Sequence, residues 1–387
     1  MRLEKRVTLK DIAREAGCSA AVVSTVLNGA KGNTLASEET HARIIDIAKK
    51  LEYHPNFSSR SLKTSRSRTL GIYVQNVPGC QLGNSYEMQI FRGIEQAARK
   101  SQYDLLLINL SSEGVPEACA VKISERRIDG VLLLHADVNA PWIDALLRVT
   151  SNVVAIDFNR PKAGLDKMMF DNIAAVRLAV EHLAALGHRR IGFIGSCLEH
   201  PEFDSVLRVK SFRDAVKEYE LADDERLVFT AAYCPRQLTK EDDYCGLEGY
   251  YGAEHFLSLG DAAPTAIIGY NDLVAIATMK RLIHERINIP YSVSVIGIDD
   301  SEYCLYMDPA LTTIRHPLVQ MGYEGTLQLI ERIEGSITGP EVCRRFSPEL
   351  VLRESTAAVS RSMPVNTVIN ITSKLRGKIE RNAEKQK

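Results

Sequence analysis

The chain has 387 residues, 45% hydrophobic and 25% charged, with eight scattered cysteines, which is ordinary globular composition in a length that suggests two or three folded units. No run approaches the roughly 18 consecutive apolar residues of a spanning helix, and "MRLEKRVTLK" has no apolar segment behind it, so neither membrane nor secretion is indicated. The net charge of -1 hides an asymmetry: residues 1–68 carry 13 Lys+Arg against 7 Asp+Glu, residues 69–355 carry 28 against 40, and residues 356–387 carry 7 against 2. A basic head on an acidic body suits a head that meets phosphates.

Cys18, Cys80, Cys119, Cys197, Cys234, Cys245, Cys304 and Cys343 form no CxxC and no Cys/His pair at zinc spacing, so free and mostly buried thiols are expected and no metal is implied.

The head reads as three short helices. In "TLKDIAREAG", Thr8 is placed to cap, Ile12, Ala13 and Ala16 fall at helical spacing, and Gly17 stops the turn. Ser19 caps a second helix whose Val23, Val26 and Leu27 share one side. That leaves Ala21, Val22, Ser24, Thr25 and Asn28 facing outward, with Ala20 at the edge. Two helices of under three turns across a small-residue turn suit a helix-turn-helix, although any helical hairpin in a small bundle would share the pattern. "SEETHARIIDIAKKLEY" supplies a third helix with Ser37 and Thr40 near its start and Ile44, Ile47, Ala48 and Leu51 as its apolar stripe. "YHPNFSSRSLKTSRSRT" then reads as a solvated basic linker.

In the body, the short apolar runs "LGIYVQN", "DLLLINL", "DGVLLLH", "VVAIDF", "RIGFIG", "LVFTAAY", "AIIGYND" and "SVIGIDD" are mostly followed by helix-length amphipathic stretches. Strands and helices in alternation, with strands apolar on both faces, give parallel sheets covered by helices. The strands are too many for one small sheet, so two lobes are expected, with strand ends facing a cleft where a small ligand sits.

These stretches, together with "VTLKDIAREAGCS", "DNIAAVRLAVEHLAALGHRRIGFIG", "PTAIIGYNDLVAIATMKRL", "PALTTIRHP" and "PELVLRES", make the chain similar to the LacI/GalR family of bacterial repressors over residues 7 to 355, with divergent spacing around 231 to 247. The resemblance implies an all-α helix-turn-helix headpiece (1–54), a hinge helix or linker (55–68) and an α/β two-lobed periplasmic-binding-protein-like core (69–355); beyond it, residues 356–387 read from their own composition as a basic, disordered tail. It places one lobe at about 69 to 165 plus 301 to 325, and the other at about 166 to 300 plus 326 to 355. It further implies a cytoplasmic, nucleoid-associated homodimer on a palindromic DNA operator, controlled by a small-molecule effector, a sugar in the first instance, with no cofactor. Repression is the default; an activator or a nucleobase-responsive regulator stays open.

Residue by residue, Ala20, Ala21 and Thr25 match positions that contact base edges, and Lys31 matches a base-contacting position just past the helix. Alanine and threonine methyls can touch a thymine methyl, but no bidentate guanine contact is available from them. Thr8, Ser19, Ser24 and Asn28 are assigned to phosphates, which fix register. Leu62 matches a leucine that wedges into the minor groove, with Lys63 beside it. The chain has Ser58 and Ser59 where the family usually has an aliphatic residue followed by alanine, which puts in doubt how hinge helices pair.

For the effector, the resemblance points to Arg208, Asn271 and Asp299, with Tyr233 as a stacking face. Each has a plainer reading: a salt bridge or cap for Arg208, Asn271 and Asp299, a surface tyrosine for Tyr233. Trp142 reads as core or lobe surface. The chain shows no GxSxG, P-loop or HExxH, so an enzyme is not expected. A solute-binding protein for transport would share the body but not the helix-turn-helix. The tail lacks a sustained heptad stripe; its alternative role is non-specific DNA attraction.

Overall fold

A computed structural model of the chain describes residues 7–28, 36–53, 66–74, 85–108, 118–136, 140–159, 162–197, 203–235 and 244–359. Among the described residues the head holds three helices: α1 (Leu9–Ala16), α2 (Ala20–Asn28) and α3 (Glu38–Lys50). The Thr8 backbone N–H and hydroxyl both donate to Asp11 Oδ2, at 2.9 and 2.6 Å. Gly17 ends α1 with φ 65, a left-handed turn that glycine adopts without a Cβ penalty. Ser19 Oγ accepts from Val22 N at 3.3 Å, so the cap expected there forms, and Ser37 Oγ caps α3 by accepting from Thr40 N at 3.2 Å. Ile12, Ala13, Ala16, Val23, Ile44 and Ala48 make the buried core of the head.

Among the described residues the body forms two six-stranded sheets. In lobe 1, β1 (Thr69–Val74), β2 (Asp104–Ile108), β3 (Gly130–Leu134), β4 (Val153–Ile156), β5 (Asp166–Phe170) and β11 (Cys343–Phe346) run in the order β11-β5-β4-β3-β1-β2, all parallel. Its helices are α4 (Ser85–Lys100), α5 (Ala118–Ser124), α6 (Pro141–Val149) and α11 (Leu318–Glu334). Alternate residues of β3 explain the layers. Leu132 and Leu134 join Ile90, Ile94, Met321 and Leu329 under α4 and α11, while Val131 and Leu133 join Cys119, Ile143 and Leu146 under α5 and α6. Helices α4 and α11 touch through backbone: a Cβ at Gly93 would collide with the carbonyl of Val319, and one at Gly322 with that of Ile90.

In lobe 2, β6 (Ile191–Ile194), β7 (Val228–Phe229), β8 (Ala266–Gly269), β9 (Ser294–Asp299), β10 (Thr312–Arg315) and β12 (Glu349–Val351) run in the order β12-β10-β9-β8-β6-β7, with β12 alone antiparallel. Its helices are α7 (Asn172–Ala185), α8 (Phe203–Glu218), α9 (Tyr244–Ser258) and α10 (Asp272–His284). The chain crosses between sheets after β5, after β10 and after β11.

Those crossovers correct the expected lobe division. Residues 166–170 form a lobe 1 strand, 301–315 belong to lobe 2, and 326–346 to lobe 1. The expected boundary near 325 falls inside the single helix α11. Strands "DKMMF", "TTIR" and "CRRF" are too short or polar to read as apolar runs; their ladder neighbours fix them. Beyond β12, Ala357 O bonds His188 Nε2 at 3.1 Å and Val359 N donates to Leu186 O at 3.0 Å, which carries the body's contacts past the expected start of the tail. The described cysteines are all free thiols.

Candidate functional site

In the head, α1 and α2 meet across residues 17–19 as a helix-turn-helix, and the outward side of α2 is small. Ala21 is exposed, and Ala20 and Thr25 are half-buried. The Thr25 hydroxyl donates to Ala21 O at 3.0 Å, leaving an acceptor that suits an adenine or cytosine amino group. Ser24 departs from expectation: it is 7% exposed, because α2 is packed by both α1 and α3 and its buried arc is wider than one stripe. Ser19 Oγ accepts from Val22 N and its hydroxyl proton has no acceptor among the described residues, whereas both donors of Thr8 are committed to Asp11. The side chain of Asn28, and Lys31, Leu62 and Lys63, lie outside the described residues.

The second site gathers where the C-terminal ends of strands from both lobes approach each other. Four non-glycine residues there adopt left-handed backbone: His135 after β3 (φ 53), Asp157 after β4 (φ 55), and Asp299 and Asp300 at the end of β9 (φ 134 and 59). Such conformations cost of order 1–3 kcal/mol each and collect at functional sites. Arg208, in the second turn of α8 and 6% exposed, is held by Nε donating to Asn172 Oδ1 at 2.6 Å and Nη1 to Tyr270 O at 2.5 Å. Its Nη1 then lies 3.9 Å from Asp299 Oδ1.

Lobe 1 supplies the opposite wall. Tyr86, in the first turn of α4, donates its hydroxyl to Asp157 Oδ2. His316, on the crossover after β10, sits between Asp157 Oδ1 at 3.4 Å and Asp299 Oδ1 at 3.8 Å, its ring stacked on Phe170 with centroids 3.7 Å apart. Across the cleft, Asn159 Nδ2 donates to Asp204 Oδ1 at 3.0 Å. Glu87 and His135 form a buried pair at 3.0 Å behind Tyr86.

The electrostatics follow from burial and pairing. Burial pushes Asp157 up, but the His316 cation and hydrogen bond, with Tyr86 and His135, outweigh it and bring the carboxyl down to about 2. Burial opposes the His316 cation, yet Asp157 and Asp299 lift it above the ordinary histidine value. Burial, then the like charge of Asp157, push Asp204 up to about 6. Asp157 Oδ1, Asn172 Nδ2, Asp299 Oδ1 and both His316 nitrogens are buried with no hydrogen-bond partner among the described residues. Apart from Asn172 Nδ2, these atoms meet one another or Arg208 only as ion pairs at 3.4 to 3.9 Å, which leaves them able to make closer hydrogen bonds to a polar ligand with several hydroxyls or ring heteroatoms.

Of the four expected effector residues, the structure brings Arg208 and Asp299 together. Asn271 is the N-cap of α10, its Oδ1 accepting from Val274 N at 2.9 Å, with Nδ2 turned to Cys245 Sγ at 3.5 Å. Tyr233 packs on His255, centroids 4.4 Å apart. His255 lies ten residues along α9 from Cys245, which faces Asn271, about 15 Å at the helical rise, so Tyr233 joins no other expected residue. Trp142 packs edge-on against Tyr73 at 5.0 Å within lobe 1. Tyr86, His135, Asp157, Asp204 and His316 were missed. Asp157 and His135 had a visible signal, a polar residue closing the apolar runs "VVAID" and "GVLLLH", where ligands meet parallel sheets.

Residues 8–56 match the model described as bacterial regulatory proteins, lacI family, and residues 180–356 match a periplasmic binding protein-like domain. The chain is 32% identical over 352 residues to the HTH-type transcriptional regulator GalR of Salmonella typhimurium, covering 90% of this chain and 95% of the relative. It is 27% identical over 350 residues to the HTH-type transcriptional repressor PurR of Aliivibrio salmonicida, covering 90% and 98%. The solved lac repressor dimer bound to operator and the anti-inducer ONPF shares the fold, with TM-score 0.74 at 23% identity over 92% of this chain and all of that one. The transcriptional regulator CelR–cellobiose complex matches with TM-score 0.62 at 25% identity, over 90% of this chain and all of that one.

Proposed function

The chain belongs to the lacI family of bacterial regulatory proteins and is a DNA-binding transcriptional regulator; from that premise we propose that it represses from a palindromic operator and that a sugar held between its lobes sets operator affinity. The observation that carries the effector reading is the Arg208–Asp299 pair, 3.9 Å apart, with Asp157 facing it from lobe 1 and His316 from the crossover after β10. A ligand bridging these groups favours one lobe arrangement, and the operator affinity changes by that preference. Structures matching at 25% identity are described with cellobiose and with ribose bound, which supports a sugar.

The DNA side rests on α2 with Ser19, Ala20, Ala21 and Thr25, and on Lys31, Leu62 and Lys63. A homodimer is supported by Tyr303, Leu305 and Tyr306, three large side chains exposed in one five-residue 3-10 helix, Tyr306 at 82%. Exposed apolar clusters of this kind mark association surfaces. No helix among the described residues is long and apolar enough to cross a membrane.

A thermal-shift panel of sugars and nucleobases, run on the native chain and on Arg208→Ala, tests the effector. A ligand at 100 times its Kd adds about 2.7 kcal/mol. A sugar should raise Tm in the native chain and not in the variant; a shift from nucleobases alone would replace the sugar.

A further inference from the structure

The linker ends on a second site. Arg66 and Arg68, among the first residues described after it, line a cavity of about 880 Å³ together with Glu95, Arg99, Tyr103 and Asp104. That volume lies in the roughly 300–1,000 Å³ range of small-molecule sites. The cavity is at the start of β1 and β2, the opposite end of the lobe 1 strands from the cleft.

Its floor is built rather than incidental. Asp129 takes the backbone N–H of Ser67 and of Arg68 at 2.7 and 2.8 Å, and the Ser67 hydroxyl at 2.9 Å, so this carboxylate is spent on fixing the backbone. Arg68 and Gln102, which both line the cavity, are held in left-handed backbone, φ 53 and 58. The Arg68 guanidinium lies over the Tyr103 ring, 5.0 Å from its centroid. Tyr103 is 5% exposed, and its hydroxyl has no hydrogen-bond partner among the described residues.

The charges nearby leave the guanidiniums open to exchange. Arg68 meets Glu334 at 3.6 Å and Arg99 meets Glu95 at 3.4 Å, exposed pairs that contribute little. In a second cavity, of about 540 Å³ between Arg315, Arg344, Arg345 and Glu349, two of the three arginines are closed by nearer carboxylates. There Arg315 is closed by Asp300 at 2.8 Å and Glu349 at 2.6 Å, and Arg344 by Glu324.

We propose that the cavity beside the linker binds a phosphate-bearing anion, with Arg68 and Arg99 as the charged contacts and the Tyr103 hydroxyl as a neutral donor. Guanidinium forks match phosphate oxygens bidentately, and the buried phenol gains the acceptor it lacks. The phosphate belongs either to a small phosphate ester or to the DNA backbone. Because Arg68 is anchored directly after the linker, occupancy and operator binding are coupled reciprocally.

The test is calorimetric titration of the full chain with pyrophosphate at constant ionic strength. Saturable binding of one pyrophosphate per chain is expected, weakened at least tenfold in Arg68→Gln and in Arg99→Gln. Tyr103→Phe, which removes one oxygen and keeps the ring under Arg68, should weaken it several-fold at unchanged Tm, and Arg208→Ala should leave it unchanged. No saturable binding, native-like binding in Arg99→Gln and Tyr103→Phe, or loss of binding in Arg208→Ala would overturn the site. A non-operator duplex that displaces pyrophosphate identifies the DNA backbone as the source; binding undisturbed by duplex identifies a small ester. Sugar binding by the same variants is read separately, so failure here leaves the effector reading standing.

Discussion

His316 Nε2 lies 3.4 Å from Asp157 Oδ1, which ties a side chain on the crossover between the lobes to the end of a lobe 1 strand. The histidine ring is fully buried and stacked on Phe170, and Asp157 is 6% exposed, so neither partner can fall back on water.

His316→Phe should therefore destabilise by about 3–5 kcal/mol, because it strands a buried carboxylate. His316→Phe combined with Asp157→Asn should recover much of that loss. Urea unfolding of the two single variants and the double at pH 7 gives the coupling; purely additive losses would refute the pair. The pH window follows from the signs. The histidine is raised above 6.5, so its contribution is present below that value and fades as pH rises through the folded value. Asp157 is lowered to about 2, so its contribution is present above 3.8 and is lost as pH falls toward 2.

Asp204 should show the opposite sign. Its carboxyl is raised to about 6, so between pH 4 and 6 the folded state holds a proton that the unfolded state has released, and stability falls as pH rises through that interval. Asp204→Asn keeps an oxygen to accept from Asn159 and removes the charge. It should be stabilising by about 1–3 kcal/mol at pH 8 and close to neutral at pH 4, read from Tm across pH. Equal effects at both ends would mean that Asp204 titrates normally.

Arg208 is fixed by two partners, Asn172 Oδ1 and Tyr270 O, before it reaches Asp299. A lysine cannot make that fork while addressing a ligand. Arg208→Lys should lower effector affinity by about 100-fold, of order 2.7 kcal/mol, while operator affinity without effector stays within about twofold. A lysine variant that binds the effector normally would move the effector off this arginine.

Tyr306 and Leu305 are 82% and 64% exposed, side by side. Replacing both with Glu removes apolar area and adds like charges to any twofold contact formed there. Sedimentation at micromolar concentration should shift toward monomer, with operator affinity falling in parallel because two half-sites are no longer held together. A variant that stays dimeric places the interface elsewhere.

The sheets were largely legible because eight strands are apolar runs. The strands that went unread carry their information in neighbours: "CRRF" is a strand because β5 pairs with it from Cys343↔Lys167 to Phe346↔Phe170, and no local pattern says so. The cleft was half legible for the same reason. Lobe 2's "GIDD" ends a run that stands out, whereas His316 follows "TTIR", whose Thr312 and Thr313 are buried by pairing with β9 and not by being apolar. Asn271 shows the limit of motif reading, since an N-cap and a ligand contact ask for the same side chain at the same strand end. Ser24 shows the limit of the helical wheel: two neighbours on different sides bury more than one face.

Alanine at 20 and 21 brings only methyl contacts, Thr25 has turned its proton to Ala21 O, and Ser24 is inside the head. Ala20, Ala21, Ser24 and Thr25 of α2 therefore offer no bidentate donor, and we propose that discrimination comes from Lys31, from Leu62 unstacking a deformable step, and from half-site spacing. Lys31→Ala and Leu62→Ala should each cut the ratio of operator to non-operator affinity by at least tenfold, whereas Ala21→Ser should change it by less than threefold. Ser24→Ala should act on the stability of the head, lowering its Tm, with the operator preference of the folded protein kept. Titrations must be run at one salt concentration, since phosphate contacts alone shift affinity with salt. Equal losses from Lys31→Ala, Leu62→Ala and Ala21→Ser would return base reading to the helix.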